Sequence, residues 1–221
     1  MNIKEIDCYG NEKQNYYRMG KQCFPNTALL ATLIALKPKY CLEIGTNKGD
    51  KVSSSQVFFD YFNYYQEDGY LITTDIKIYE DHPRSNISKL IVYPHTNYNE
   101  IKKLHNVNKE ELLPDFEVKH IKSVENNIKI ISNEMDKLGI ELFDFAYIDG
   151  DHEQESFRKD LEICLNLVKD PRFILCDDVK DPEHPCCIYF REKIKNNPLF
   201  GVYEFEDWDK EASLGLLWIK E

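Results

Sequence analysis

Four short apolar runs in this chain each stop at a glycine or an acid. Tyr40–Ile44 runs into Gly45, Tyr70–Asp75 and Leu142–Asp149 end on their own acids, and Arg172–Cys176 runs into Asp177-Asp178. Helical patterns separate them. Strands that alternate with helices need crossover connections, which favours a parallel sheet with helices on both faces. The predicted helices are Ala28–Leu36, opened by Pro25-Asn26-Thr27; about Lys51–Tyr65, broken by Gly69; Glu125–Leu138, capped by Gly139; and about Gln154–Val168, with a short one after Pro185. Phe116–Ile121 reads as the third strand in chain order. Val202–Phe205 and Leu214–Ile219 read as an antiparallel hairpin around the polar Asp207-Trp208-Asp209-Lys210 connection, with Trp208 and Trp218 as packing residues.

The 221 residues suit a single domain spanning 1–221. Residues 1–24 are polar and Tyr-rich, and Tyr16 and Tyr17 make this an N-terminal lid or packing segment. Residues 76–115 exceed the ~10–20 residues of a helical crossover and read as an insertion between the second and third strands. Asp and Glu number 39 against 28 Lys and Arg, a formal charge of −11. That balance argues against nucleic acid and anionic membranes as partners. No run reaches the ~18 apolar residues of a membrane helix, and the first residues lack the apolar core of a signal peptide. None of the seven cysteines forms a C-x-x-C pair. Cys41, Cys164 and Cys176 read as core residues, and adjacent Cys186-Cys187 as core or as a redox or soft-metal pair. A soluble protein of the reducing cytoplasm is expected.

The strand ends carry the chemistry. Glu43-x-Gly45-x-x-x-Gly49 closes the first strand, where glycines let backbone approach a ligand and the next helix offers free N–H groups. An acid there can accept hydrogen bonds from a cationic amine, and Asp75 on the next strand can take both hydroxyls of a ribose. Thr46 and Asn47 break the dinucleotide fingerprint G-x-G-x-x-G, which argues against a nicotinamide enzyme. A plain tight turn is the alternative. Asp149-Gly150-Asp151-His152 and Asp177-Asp178 end two further strands that should be neighbours. Converging carboxylates repel one another unless a divalent cation joins them, and oxygen donors favour Mg²⁺, Mn²⁺ or Ca²⁺. Asp151 or His152 would then be the general base. The alternative is that these acids cap helices, which is strongest for Asp151.

Three stretches carry a resemblance: Leu42–Gly49, Phe143–His152 and Phe173–Val179. From about Pro25 onward the chain resembles class I S-adenosylmethionine-dependent methyltransferases. More narrowly, it is similar to the metal-dependent O-methyltransferases of the macrocin and novobiocin sugar-modifying type, whose wider group includes catechol O-methyltransferase. The resemblance implies a Rossmann-like, seven-stranded, mostly parallel sheet with an antiparallel C-terminal pair. It implies that Glu43, Gly45, Thr46, Asn47 and Gly49 hold the methionine end of S-adenosylmethionine, that Asp75 binds its ribose, and that Ser123 lines its adenine. Asp149 would border the cofactor and, with Asp177 and Asp178, hold Mg²⁺. Asp151 would be the base and His152 the second candidate, standing where catechol-type enzymes carry a lysine.

The implied activity is cation-assisted O-methylation of a sugar or other small hydroxylated molecule or glycan. A catalytically silent binding protein, and a metal enzyme acting on a nucleotide or sugar by another reaction, are the rivals. The acceptor and a homo-oligomeric state stay open. His82, His95, His105 and His120 read as exposed or structural. His184 reads as a loop histidine without a role, with a place over the metal rim as the alternative.

Overall fold

The computed structural model describes residues 24–45, 54–75, 87–91, 124–180, 184–206 and 213–220. One sheet holds seven strands: β1 Tyr40–Ile44, β2 Tyr70–Asp75, β3 Ile87–Ile91, β4 Phe143–Ile148, β5 Val168–Asp177, β6 Phe200–Glu206 and β7 Ser213–Ile219. Their spatial order is β3-β2-β1-β4-β5-β7-β6. The first five pair in parallel, and β7 runs antiparallel to both β5 and β6. The expected α/β sheet with an antiparallel C-terminal hairpin is present, and β7 is the arm of the hairpin that meets β5.

The helices are α1 Phe24–Leu36, α2 Ser54–Tyr64, α3 Val124–Leu138, α4 Gln154–Leu167 and α5 Pro185–Tyr189, which continues into a π-helical turn, Phe190–Lys195. Among the described residues no helix is long and apolar enough to cross a membrane. Gly139 ends α3 with φ +66°, the left-handed conformation of a C-terminal cap.

Side chains alternate across each strand, so successive residues feed two separate cores. Cys41, Leu71, Phe145, Tyr147 and Leu175 pack under α1 and α2 with Leu29, Leu33, Phe58 and Phe62. Leu42, Ile72, Ala146, Ile148 and Ile174 pack under α3, α4 and α5 with Ile131, Met135, Phe157, Leu161 and Phe190. Phe58 and Phe145 meet at 6.3 Å between ring centroids, and burying each ring contributes about 1.5–3 kcal/mol. Cys41, Cys164 and Cys176 are fully buried core residues, as expected.

Two elements differ from the sequence expectation. The strand beside β2 is Ile87–Ile91, inside the stretch read as an insertion. It is a five-residue edge strand within polar sequence, and its Ile-Ser-Lys-Leu-Ile pattern does not alternate cleanly. The expected strand Phe116–Ile121 lies outside the described residues, as do Tyr16, Tyr17 and Trp208. β5 also begins at Val168 rather than Arg172, because Lys169, Asp170 and Pro171 are exposed and look like loop.

Candidate functional site

The chain winds outward from β1 to β2 and β3, then crosses back to β4 and β5. The direction of winding therefore reverses between β1 and β4, and in open α/β sheets ligands bind at the carboxyl ends of such strands. Gly45 sits at that point. Its N–H donates to the Thr74 carbonyl at 2.9 Å, and the Asp149 N–H donates to the Ile44 carbonyl at 2.8 Å. A Cβ on Gly45 would lie 1.9 Å from the Asp149 carbonyl oxygen, and its φ is +87°. Only glycine lets the two strand ends close here.

Glu43 is fully buried on the α2 side of the sheet. Its Oε2 accepts hydrogen bonds from the Ser55 and Thr73 hydroxyls, both at 2.5 Å. Its Oε1 has no partner among the described residues. Burial raises its carboxyl above the usual range, the three neighbouring serine and threonine hydroxyls oppose the shift, and Asp75 adds to it. Asp75, half-buried at the end of β2, is near enough to push up Asp149 as well. Thr46, Asn47, Gly49 and Ser123 lie outside the described residues.

Asp149, Asp177 and Asp178 converge as the register of β4 on β5 requires, since Ile148 pairs with Cys176 just before them. Burial pushes the Asp149 carboxyl well above the carboxylate range, and the charges of Glu43 and Asp178 add to the shift, against a hydrogen bond with Asp177. Asp177 is raised by burial and then by Asp149 and Asp178, against the Asp178 N–H and His152. Asp178 has φ +52°, a left-handed conformation that aspartate tolerates better than most residues. No lysine or arginine pairs with these three acids among the described residues. Clustered oxygen donors without a cationic side chain among them are the donor set a divalent cation fits.

Asp151 and His152 diverge. The Asp151 carboxylate turns to the start of α4, where it accepts the Ser156 hydroxyl at 2.8 Å and the Glu153 N–H at 3.2 Å. The bond to the N–H two residues on is that of an Asx turn, and the N-cap of α4 itself, Glu153, makes no side-chain capping bond. His152 turns to the rim. Its Nδ1 lies 3.2 Å from Asp178 Oδ2, and its Nε2 lies 4.0 Å from Asp149 Oδ1.

His184, expected as a loop histidine with a place over the rim as the alternative, stands at the rim. Its Nδ1 lies 3.1 Å from the Nδ1 of His152, and its Nε2 lies 3.6 Å from Asp178 Oδ2. The two imidazole rings stand edge to face at 4.2 Å. The available signal was Pro185, which starts α5 and fixes the extended backbone of the residue before it. Cys186 and Cys187 are buried beside it. The Cys186 thiol points at the Asp178 carbonyl at 3.7 Å and is pushed up to about 12, chiefly by burial and then by Asp178. At neutral pH it is a thiol, not a thiolate nucleophile.

Residues 42–179 match the profile of a family described as a methyltransferase domain, more than half of the chain. The chain belongs to this family. Among solved structures, an O-methyltransferase from Bacillus cereus in complex with SAH is 15% identical, with a TM-score of 0.54 over 92% of this chain and 84% of that one. The SAH-bound methyltransferase PaMTH1 of Podospora anserina is 14% identical, with a TM-score of 0.51 over 92% and 80%. MycE, a methyltransferase of the mycinamycin pathway in complex with Mg, SAH and mycinamycin VI, is 11% identical, with a TM-score of 0.53. That match covers 90% of this chain and 51% of MycE. At these identities the likeness is one of fold. No curated protein matches the sequence. The methyltransferase domain thus carries its polar groups at the strand ends where its fold places a ligand crevice.

Proposed function

We propose that this methyltransferase domain moves the methyl group of S-adenosylmethionine to a hydroxyl of a sugar or other small hydroxylated molecule or glycan, with a divalent cation at the rim. The observation that carries the reading is the pairing of two clusters at one sheet edge. Glu43, Gly45 and Asp75 stand on the β1–β2 side, and Asp149, Asp177, Asp178 and His152 on the β4–β5 side. The SAH complexes of the Bacillus and Podospora proteins, and the Mg and mycinamycin in MycE, support the cofactor, the cation and a small acceptor.

In this reading Gly45, Thr46, Asn47 and Gly49 would hold the methionine end of the cofactor. The unpartnered Oε1 of Glu43 faces its cationic amine, Asp75 takes the ribose hydroxyls, and Ser123 borders the adenine. Asp149 closes the crevice beside Gly45. Asp149, Asp177 and Asp178 would hold Mg²⁺ or a similar cation, whose charge lowers the pKa of an acceptor hydroxyl. The cofactor would supply the methyl group and leave as the thioether, and His152 or Asp151 in the adjoining loop would take the proton of the acceptor hydroxyl. Rate comes mainly from holding oxygen and methyl at attack distance. The free, buried cysteines suit a reducing cytoplasm.

The test pairs calorimetry with product analysis. S-adenosylmethionine should bind the purified chain, and labelled methyl should appear in a hydroxylated metabolite or glycan pool with Mg²⁺ and disappear with chelator. Asp177→Ala and Asp178→Ala should abolish turnover and still bind cofactor. No binding at millimolar cofactor would overturn the reading, and turnover that ignores chelator would remove the cation from it.

A further inference from the structure

Two imidazoles and a carboxylate meet where the resemblance implies carboxylates alone. His152 comes from the loop before α4, Asp178 from just past β5, and His184 from the start of α5. One donor atom from each lies within 4.8 Å of both others. The nearest approaches are 3.1 Å between the two Nδ1 atoms, 3.2 Å from His152 Nδ1 to Asp178 Oδ2, and 3.6 Å from Asp178 Oδ2 to the other ring nitrogen of His184, Nε2. Ligands held about 2.0–2.2 Å from one ion stand roughly 3.0 Å apart at right angles and roughly 3.4 Å apart at the tetrahedral angle. Rotation of the His184 ring about its Cβ–Cγ bond selects which nitrogen faces such a centre.

The three donors are tied to one another through the backbone. The Cys186 N–H donates to the His152 carbonyl at 2.9 Å, and the Cys187 N–H donates to the His184 carbonyl at 3.0 Å. The Cys186 thiol lies on the Asp178 carbonyl. Cys186 is 2% exposed, so this tie is held inside the core. On the far side of His152, Nε2 faces Asp149. At 4.0 Å this is a charge contact and not a hydrogen bond.

We propose that His152, Asp178 and His184 form a binding site for a borderline first-row divalent ion of the Mn²⁺, Fe²⁺, Co²⁺ or Zn²⁺ class, in preference to Mg²⁺. Imidazole nitrogen favours these ions, whereas Mg²⁺ demands oxygen and gives up its water reluctantly. Three protein donors leave coordination positions for water or another ligand. The inference deepens the proposed cation role and rests on it for function, but the site itself stands on these three side chains. With His152 as a ligand, Asp151 is the other candidate in the loop for the proton, and its carboxylate would have to leave Ser156 to take it.

The experiment uses the full chain, stripped of metal and freed of chelator, titrated with Co²⁺ and separately with Mg²⁺. Visible absorption reports nitrogen ligation of Co²⁺, and calorimetry reports affinity and stoichiometry. One Co²⁺ per chain is expected, bound at least ~100-fold more tightly than Mg²⁺. His184→Ala should weaken Co²⁺ by roughly 10–100-fold and alter its spectrum. His184→Asn serves if the alanine variant does not fold, as judged by its metal-free melting curve. Equal affinity for the two ions, no Co²⁺ binding, or Co²⁺ binding indifferent to His184 would overturn the site. S-adenosylmethionine titrated into the same samples separates the two readings. Cofactor binding without the Co²⁺ pattern sinks only the site, and the Co²⁺ pattern without cofactor binding sinks only methyl transfer.

Discussion

Replacing Gly45 with alanine tests whether the junction of β1 and β4 is what builds the cofactor crevice. The new Cβ would lie 1.9 Å from the Asp149 oxygen, 2.4 Å from its carbonyl carbon and 2.7 Å from Gly150 Cα. Carbon atoms pack comfortably at about 3.5–4.0 Å, so the strand ends must separate by more than an ångström. The Asp149 N–H to Ile44 carbonyl bond, now 2.8 Å, would then pass the ~3.2 Å limit of a good hydrogen bond. Losing it costs about 1 kcal/mol, the left-handed φ about 1–2 kcal/mol, and the residual crowding about 1–3 kcal/mol. A total near 4 kcal/mol lowers the melting temperature of a chain this size by roughly 8–16 °C. The same displacement shifts the Gly45 junction beside which the cofactor would bind, so calorimetry on the folded variant should show S-adenosylmethionine binding weakened at least ~10-fold, or about 1.4 kcal/mol. A variant that melts with the wild type, or that melts low and binds cofactor normally, would refute the link between the Gly45 contact and the site.

Three further outcomes follow from other residues. Glu43→Gln keeps an oxygen for the Ser55 and Thr73 hydroxyls, so thermal stability should move by less than ~1 kcal/mol while cofactor affinity falls ~10-fold or more; unchanged affinity would make Glu43 purely structural. Asp144→Ala removes the acceptor of the Lys39 and Tyr40 N–H groups, at 2.7 and 2.8 Å, and the partner of Lys169, for a loss of about 1.5–3 kcal/mol in urea unfolding at neutral pH. Because Asp144 is held below its ordinary range when folded, its contribution is full above the unfolded pKa and lost as pH falls through the lowered one, so the gap between wild type and variant should narrow as the pH falls into the acid range. Cys41, Cys164 and Cys176, whose thiols burial pushes well up, should resist an alkylating reagent in the folded chain and react after denaturation, as read by peptide mass spectrometry; native labelling at any of them would contradict the packing.

The strands whose cores alternate between two buried faces were legible because both sets of side chains are apolar. Tyr40–Ile44 and Phe143–Ile148 needed nothing beyond that pattern. β3 escaped because it is five residues long, does not alternate cleanly and lies within a polar stretch of sequence. The carboxylates of the rim were legible as strand-end acids. What sequence left open was direction. Asp151 and His152 are neighbours, and only the geometry of the α4 start sends one carboxylate to Ser156 and the other side chain to Asp178. His184 was hidden for a different reason. Its approach depends on a backbone contact from Cys186 to His152, a long-range bond that no local pattern encodes.

Strand β4 carries one aspartate near its start and another just past its end, and the two have opposite fates. Burial would raise Asp144, but the Lys169 ammonium and two backbone N–H groups outweigh it and hold the carboxyl low. Asp149 is raised by the same burial and raised again by Glu43 and Asp178, with no lysine or arginine beside it among the described residues. The amino edge of the sheet is thus electrostatically closed and contributes to stability. The carboxyl edge concentrates acids that disfavour one another, a cost of folding that a binding site tolerates and a purely structural edge would not retain. Tyr147, inside β4 and facing the α2 side, is raised by burial and then by Asp149, Asp177, Glu43 and Asp178 together, so the field of the whole edge reaches into the core. A sulfonium cofactor and a divalent ion are both cations, and either would lower that field. Binding one should therefore ease binding of the other at neighbouring carboxylates, up to the point where the two positive charges repel directly. Calorimetric titration of S-adenosylmethionine with and without saturating divalent ion measures the sign of that coupling, and tighter cofactor binding in the presence of the ion is the expected result.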